Sequence, residues 1–237
     1  MTHVQHMEPA DAFAQLGRIK LSETDLNGVF QRIADLGKST IPGASEVSVT
    51  LVQNKDAHTP AFTGDLALAL DESQYKLGHG PCLDAAASTS TQHVIDMAGE
   101  DRWPDWTARA REAGAHCSLS IGLPVQESVT GALNIYATRP NAFDDDALAI
   151  AQTFASYAEV AMANAYLYNA QTTLAQHMDI AMRSRAVIEQ AKGIIMGDRR
   201  CSADEAFAIL TKLSQNTNRK LRDVAVALVE RSTAPKP

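Results

Sequence analysis

Two histidine–cysteine pairs are the first residues in this chain whose types and spacing could do chemistry. His79 and Cys82 stand in the string LGHGPC, and His116 adjoins Cys117. If the fold joined these loops, the four side chains could bind a metal ion. Zinc sites usually pair their ligands at spacings such as C-x2-C, which the sequence lacks, so we expect no metal site. Cys82 lies where a turn leads into a helix N-terminus, which favours a reactive thiolate, although a small buried cysteine is the simpler interpretation.

Two tryptophans extend this candidate site. Trp103 and Trp106 lie one helical turn apart, and we expect them to anchor a helix in the core with one edge lining a pocket. The residues that we assign to a sensor pocket or redox site are Cys82, His79, Trp103 and Cys117.

Patterns for catalysis and phosphate binding are weaker. The acidic run at residues 144–146 could hold magnesium or accept a phosphoryl group, but aspartates at a helix start are more simply caps and dipole partners. Gly78 and Gly80 lack the third glycine and the Lys-Ser/Thr pair of a phosphate loop. No nucleophile, base and orienting residue form a recognisable set. We therefore expect no catalytic residues and no enzymatic activity.

The charge of the C-terminal part points to a different chemistry. Residues 183–231 hold ten Lys or Arg against six Asp or Glu, a balance of +4, whereas the whole chain carries −7, which leaves −11 for the rest. Such asymmetry suggests an anionic partner, although a soluble helical surface explains the charge alone equally well. Lys and Arg contact phosphates, and Arg also stacks on loop bases. The candidate contacts are Arg185, Lys192, Lys212, Arg219, Lys220 and Arg222.

Three helices must position these side chains. Ser202 followed by Glu205 has the form of a capping box that starts a helix. Gly197 is expected to end the helix before it. Each helix is too short to be stable alone, so we expect a three-helix bundle with a shared core. The predicted core residues are Ile188, Ala191, Met196, Phe207, Leu210, Leu221, Val224 and Ala225.

The bundle contains the strings AKGIIM at 191–196, Ala206-Phe207 with Leu210 and Ser214, and KLRDVA at 220–225. These strings resemble the ANTAR family of RNA-binding antitermination domains. The resemblance implies binding to a pair of short stem-loops in nascent messenger RNA, which keeps an intrinsic terminator from forming. It adds Gly193, in the AKG motif, and Ser214 to the candidate RNA-binding residues. A glycine inside a helix costs about 1 kcal/mol relative to Ala, which close approach of RNA or another helix would explain.

The order of elements before the bundle, a helix, strands with interspersed helices and a closing helix, predicts an α+β domain over residues 21–165. The strings LGHGPCLDA (77–85), DRWP (101–104) and GALNIY (131–136) resemble the GAF domains that precede ANTAR in bacterial regulators. The resemblance implies an antiparallel sheet flanked by helices that often binds a small ligand. No cofactor is evident, and the ligand would be an unidentified small molecule.

A helical connector is predicted between these domains, over residues 166–182. Residues 145–196 contain no proline and no glycine before Gly193, and apolar residues recur every seven positions. This heptad pattern predicts a coiled coil and a homodimer, although its seam contains Asn164 and Gln171. A single long helix that packs on its own sheet is the alternative. The seam positions are Val160, Leu167, Leu174, Ala181 and Ile188, with Tyr157, Asn164, Gln171, Met178 and Arg185.

The termini and the cysteine usage predict where the protein works. We expect residues 1–20 to be a loosely ordered arm and residues 232–237 a disordered tail. The N-terminus has no signal-peptide features, no apolar run is long enough for a membrane span, and the three cysteines are scattered. These features predict a cytoplasmic protein.

The fold class is therefore an α+β GAF-like sensor domain joined by a long helix to an all-α three-helix ANTAR bundle. The predicted function is transcription regulation through RNA binding, with messenger RNA leader stem-loops and a second copy of the chain as partners. Two alternatives stay open. The bundle could read DNA as a helix-turn-helix, but its last helix exposes few Arg, Asn or Gln side chains, so DNA is disfavoured. It could also serve only ligand binding or dimerisation.

Overall fold

The structure, a computed structural model, describes residues 7–233. These residues form the helices α1 (Pro9–Gly17), α2 (Leu26–Thr40), α3 (Asp65–Leu77), α4 (Pro81–Ser88), α5 (Pro104–Glu112), α6 (Asp145–Arg199), α7 (Ala203–Thr217) and α8 (Leu221–Thr233). The strands are β1 (Glu46–Gln53), β2 (Asp56–Phe62), β3 (Thr91–Val94), β4 (Cys117–Gln126) and β5 (Val129–Ala137). The chain divides into two structural units, with the boundary between Asn169 and Ala170.

The first unit is built on one antiparallel sheet with the strand order β2-β1-β5-β4-β3. Alternating apolar residues place one face of this sheet in the core. Val49 of β1 lies opposite Leu133 of β5, which lies opposite Ile121 of β4, and all three are buried. Helices α1, α2 and the first part of α6 pack on this face. The predicted class, an antiparallel sheet flanked by helices, is confirmed.

Helices α3, α4 and α5 cover the opposite face of the sheet. Helix α3 has no cap from its own N-cap residue, Gly64, and instead the Glu46 carboxylate of β1 accepts a hydrogen bond from the Ala67 N–H at 2.8 Å. Helix α4 lies directly on β4, because a Cβ atom at Gly122 would collide with the carbonyl oxygen of Ala85. These contacts bring α3 and α4 against the side chains on this face of the sheet.

The N-terminal segment differs from its prediction as a loosely ordered arm. Residues 9–17 form α1, and its Ala12 and Leu16 are buried in the same cluster as α2. The reason is tertiary, because a helix of this length gains its stability from packing an apolar face and not from propensity. Residues 1–6 lie outside the described part of the chain.

Caps and turns set the boundaries of the first elements. Asp25 caps α2 by accepting a hydrogen bond from the Gly28 N–H at 2.8 Å, and the helix continues past Gly37 because its buried face continues to Thr40. Strand β2 begins at Asp56, since a two-residue turn with positive φ at Asn54 and Lys55 is enough to reverse the chain.

Helix α6 is a single helix of 55 residues, as the absence of proline predicts. The backbone is helical throughout residues 166–182, so the helix bounds do not separate a connector from the rest of α6. The connector therefore stays a prediction. Within residues 7–233, no helix is both long and apolar enough to cross a membrane. Of the predicted tail, residues 232–233 belong to α8, and residues 234–237 lie outside the described part.

Candidate nucleic-acid interface and candidate sensor site

The second unit contains the C-terminal part of α6 together with α7 and α8, which share one small core. Three of its six buried residues are alanines, so the helices approach closely and little apolar volume holds them together. The predicted three-helix arrangement is present. The buried core residues are Ala191, Ile195, Ala206, Leu210, Val224 and Ala225.

The start of α7 is fixed as the sequence predicts. The Glu205 N–H donates to the Ser202 hydroxyl at 3.3 Å, and the Glu205 carboxylate accepts from the Ser202 N–H at 2.8 Å. The Ser202 N–H and the Ser202 hydroxyl both donate to the Glu205 carboxylate, which lowers the pKa of Glu205. The preceding helix passes Gly197 and ends two residues later, where Arg200 adopts a left-handed conformation with φ 53°.

The turn between α7 and α8 is closed by two hydrogen bonds around Asn218, which has φ 50°. The Arg219 N–H donates to the Ser214 carbonyl at 3.1 Å, in the pattern of a Schellman motif. The Ser214 hydroxyl donates to the Arg219 carbonyl at 2.5 Å. The Ser214 hydroxyl is thus hydrogen-bonded within the turn, and Ser214 fixes the backbone of Arg219, a candidate RNA-binding residue.

Most of the predicted basic contacts lie on the surface of this unit. Lys192 is different, because its side chain is only 17% exposed and its Nζ lies 3.0 Å from the Glu189 carboxylate. Arg222 approaches Asp223 at 3.4 Å. An exposed ion pair such as that of Arg222 with Asp223 contributes little, so phosphate can displace the Asp223 carboxylate at small cost. The exposed candidates are Arg185, Lys212, Arg219, Lys220 and Arg222.

Gly193 is not explained by the fold of the described residues. A Cβ atom built there would meet nothing within 4 Å. An alanine would fit and would favour the helix by about 1 kcal/mol. The glycine therefore leaves open backbone on α6 next to Lys192.

The prediction of core residues is wrong for two of them. Phe207 is 44% exposed and Met196 is also exposed, whereas Ala206 and Leu210 are buried. The physical reason is helical geometry, since Phe207 lies about 100° around the helix from Ala206. The exposed aromatic ring of Phe207 is available for stacking.

A buried carboxyl forms the centre of a polar network on the α3–α5 side of the sheet. Asp71 accepts hydrogen bonds from the Tyr136 hydroxyl at 2.5 Å, the Thr59 hydroxyl at 2.9 Å and the Asn134 amide at 3.2 Å. Complete burial raises the pKa of Asp71 to about 6, and the three donors act in the opposite direction.

Further hydrogen bonds join this network to α4. The Tyr75 hydroxyl lies 2.8 Å from the Thr50 hydroxyl and 2.7 Å from the Thr59 hydroxyl. The side-chain amide oxygen of Gln74 accepts a hydrogen bond from the Cys82 N–H at 2.8 Å. The positions of α3, α4 and the central strands are thus coupled through side chains that are mostly buried.

Three buried polar atoms beside this network have no hydrogen-bond partner among the described residues. They are the Oδ1 of Asn134 and the hydroxyls of Ser118 and Ser120. Ser120 lies directly opposite Asn134 in the sheet, so both side chains point to the same face. Because buried polar groups are normally paired, this row has hydrogen-bonding capacity that the described residues do not fill. We call Asp71, Asn134, Ser118 and Ser120 the polar row.

The structure brings only part of the predicted sensor site together. Cys82 and Trp103 lie on the α4 side, where the Trp103 indole donates to the Asp84 carboxylate at 2.8 Å. Cys117 packs in the core on the opposite face of the sheet. His79 is half-buried in the turn before α4.

Neither buried cysteine has the environment of a reactive thiol. Burial raises the pKa of Cys82 and that of Cys117, and a raised pKa disfavours the thiolate. The geometry supports the interpretation of Cys82 as a buried packing residue. In the part of the chain that the structure describes, no cluster of three or more His, Cys, Asp or Glu side chains could hold a metal ion.

The polar row was not predicted from the sequence, because the polar residues of its strands alternate with apolar ones. In β4 the order is Ser118, Leu119, Ser120, and in β5 Asn134 alternates with Leu133 and Ile135. Such alternation is typical of a strand with one face in water. Only the packing of α3 and α4 on that face buries these polar groups. Asp71 lies on a helix with a weak apolar stripe, so no sequence pattern indicated that its carboxyl is buried.

Comparison with protein families gives two matches to this chain. Residues 23–163 match the GAF domain, and residues 176–229 match the ANTAR domain. The second range begins seven residues before the predicted start of the bundle, inside the predicted connector. No curated protein matches the chain.

Solved structures with the fold of the first unit include fRMsr and phytochrome proteins. The reduced form of fRMsr of Staphylococcus aureus has a TM-score of 0.52 at 16% identity, and the match covers 68% of this chain and 99% of that one. The phycocyanobilin-bound GAF domain from a cyanobacterial phytochrome has a TM-score of 0.52 at 12% identity, with 68% and 97% covered. Bacteriophytochrome RpBphP3 from R. palustris has a TM-score of 0.51 at 12% identity, with 85% and 45% covered. At these identities the likeness shows the fold alone.

Proposed function

Because this chain belongs to the GAF domain family and carries an ANTAR domain after its GAF domain, we propose that it is a cytoplasmic regulator that binds paired stem-loops in nascent messenger RNA and prevents termination. The observation that carries the proposal is the match over residues 176–229, in a unit most of whose basic side chains are exposed. The +4 balance of residues 183–231, against −11 for the rest, directs an anionic partner to this unit.

A binding experiment tests this function. The full chain is titrated against a leader RNA with two adjacent stem-loops and against duplex DNA of the same sequence, at two salt concentrations. We expect tighter binding to the RNA and an affinity that falls with salt, because released counterions drive phosphate contacts. Equal binding to both nucleic acids would contradict the RNA reading and favour a DNA-binding factor. No binding to either would favour a module for ligand binding or dimerisation.

The exposed apolar residues of α6 support a homodimer. Val160, Leu167 and Leu174 follow each other at intervals of seven, and each is more than half exposed. Tyr157 and Met178 are exposed at the second seam position. Between residues 156 and 184 the charged residues are Glu159, Asp179 and Arg183, which fall outside the seam and its flanking positions. A helix face of this kind in water is typical of a coiled-coil interface.

The polar row supports a sensing role for the first unit. A small ligand that donates to Asn134 and accepts from the serines would be held between the sheet and α3–α4. Helix α6 contributes to the core of the first unit and also carries Lys192. A change in the first unit that moves the heptad seam of α6 would therefore be transmitted to the RNA-binding surface. The coupling requires two states that differ in their contacts with the ligand and with RNA.

A thiol-dependent enzyme is a less well supported function. The S. aureus structure shares the fold of the first unit, but the raised pKa values of Cys82 and Cys117 oppose thiolate chemistry here. A domain pair of this type is typical of regulators without enzymatic activity.

A further inference from the structure

We infer that the cleft between α7 and α8, with Arg219 and Arg231 at its rim, is a slot for one unpaired base of the RNA loop. This inference rests on the proposed function and names a part of the surface that the motifs did not indicate. The cleft has a volume of about 210 Å³. That is less than the 300–1,000 Å³ typical of pockets for drug-sized ligands, so it suits a single planar group. Its floor is formed by Leu213, Val224, Ala227 and Leu228.

The exposure of Leu213 is the first argument for an occupant. Leu213 continues the apolar stripe of Ala206 and Leu210, both of which are fully buried. Leu213 is nevertheless 44% exposed, because the cleft is open beside it. The unit already buries few apolar residues. An apolar group that enters the cleft would complete the core at this point.

The charge at the rim decides which group this is. The residues that line the cleft, all within the described part of the chain, include two arginines and no carboxylate. A nucleotide offers a flat apolar base for the floor and a phosphate for the guanidinium groups. Sequence-specific RNA recognition targets bases in loops, which stack on aromatic rings and on Arg planes. A basic rim is complementary to RNA, whereas it would repel the same rim on a second copy of the chain.

The position of Arg219 is fixed before any ligand binds. Its N–H and its carbonyl are both hydrogen-bonded to Ser214, at 3.1 and 2.5 Å. Arg231 lies on α8 in line with Val224, Ala227 and Leu228, so the second guanidinium extends from a helix. A site whose backbone is already ordered loses less entropy on binding.

Two substitutions and a set of modified RNAs test the slot. Ala227→Phe fills the cleft, and Arg231→Gln removes a rim charge at an exposed helical position. Ala208→Phe, which adds the same ring on an exposed position of α7, is the matched control. The probe is a two-stem-loop leader RNA and a set of the same RNA in which one loop base at a time is replaced by an abasic residue. Circular dichroism melting checks that each variant folds.

We expect Ala227→Phe to weaken binding by roughly tenfold or more, since the loss of one stacked base has an effect of this size. Arg231→Gln should lower the salt dependence by about one unit of slope. At one loop position the abasic RNA should bind the wild type more weakly but should not weaken binding by Ala227→Phe any further, because both changes remove the same contact. Ala208→Phe should bind like the wild type.

The failure of this inference can be told from the failure of the proposed function. If both cleft variants bind RNA like the wild type while Lys192→Gln binds more weakly, the slot is wrong and the RNA function stands. If the wild type shows no preference for stem-loop RNA over duplex DNA, the proposed function and the proposed slot are both contradicted. If Ala227→Phe abolishes self-association and leaves RNA affinity unchanged, the occupant is a second copy and the inference is overturned.

Discussion

The Tyr136 hydroxyl donates a hydrogen bond to the Asp71 carboxylate at 2.5 Å, and both side chains are fully buried between the sheet and α3. This contact joins the central strand β5 to a helix through a group that can gain or lose a proton. Burial raises the pKa of Asp71 to about 6, which is within the range of ordinary solution conditions. The polar row of the first unit therefore contains a titratable group.

Asp71→Asn tests the role of this carboxyl in stability. The pKa in the folded state lies above the ordinary value of 3.8, so the stabilisation from protonated Asp71 is complete below pH 3.8 and is lost as pH rises through 6. The shift corresponds to roughly 3 kcal/mol. We expect the free energy of unfolding of the first unit to fall between pH 4 and 8 in the wild type and to fall less in Asp71→Asn.

Urea unfolding followed by tryptophan fluorescence measures this, because both tryptophans of the chain lie in the first unit. Glu72→Gln, an exposed change on the same helix, is the control and should keep the wild-type pH dependence. Equal pH slopes in the wild type and Asp71→Asn would show that Asp71 does not carry the effect.

Leu174→Glu tests the proposed homodimer. Leu174 is 61% exposed at a seam position, and a charge there would be buried in the interface without a partner. We expect the variant to be monomeric by light scattering at micromolar concentration, whereas the wild type is dimeric. Gln176→Glu adds the same charge two residues away on the outer face of the helix and should leave the dimer intact. A dimeric Leu174→Glu variant would place the interface elsewhere.

Lys192→Gln tests the contact that the AKG motif predicts. Removal of one phosphate contact should weaken RNA binding severalfold across RNA sequences and lower the slope of log affinity against log salt by about one. Lys20→Gln is a matched control, because Lys20 forms the same kind of pair with Glu23 at 3.1 Å in the first unit. An unchanged affinity and salt slope for Lys192→Gln would remove this residue from the interface.

Ser214→Ala tests whether this serine acts through the turn. Loss of its hydrogen bond to the Arg219 carbonyl should destabilise the second unit by about 1 kcal/mol. Hydrogen–deuterium exchange should therefore increase around residues 214–224. Ser184→Ala is the control, since the Ser184 hydroxyl donates to the Ile180 carbonyl of its own helix. Weaker RNA binding with no increase in exchange would indicate direct contact of Ser214 with RNA.

The sequence by itself determined the elements that rest on local rules. The capping box of Ser202 and Glu205 is visible in two residue types at the correct spacing, and the structure has it. Strand β1 follows from the alternation of Val47, Val49 and Leu51. The long α6 follows from the absence of proline. Both family resemblances could be stated for the same reason, because their motifs are short and contiguous.

Only the tertiary structure decided which side chains face each other and which are covered. The alternation in β4 and β5 predicts that Ser118 and Asn134 face solvent, whereas the packing of α3 and α4 buries them around Asp71. Likewise, Leu213 continues the apolar stripe of Ala206 and Leu210, but the packing of α7 and α8 leaves it in an open cleft beside Arg219. Burial depends on elements distant in sequence, and no local pattern encodes it.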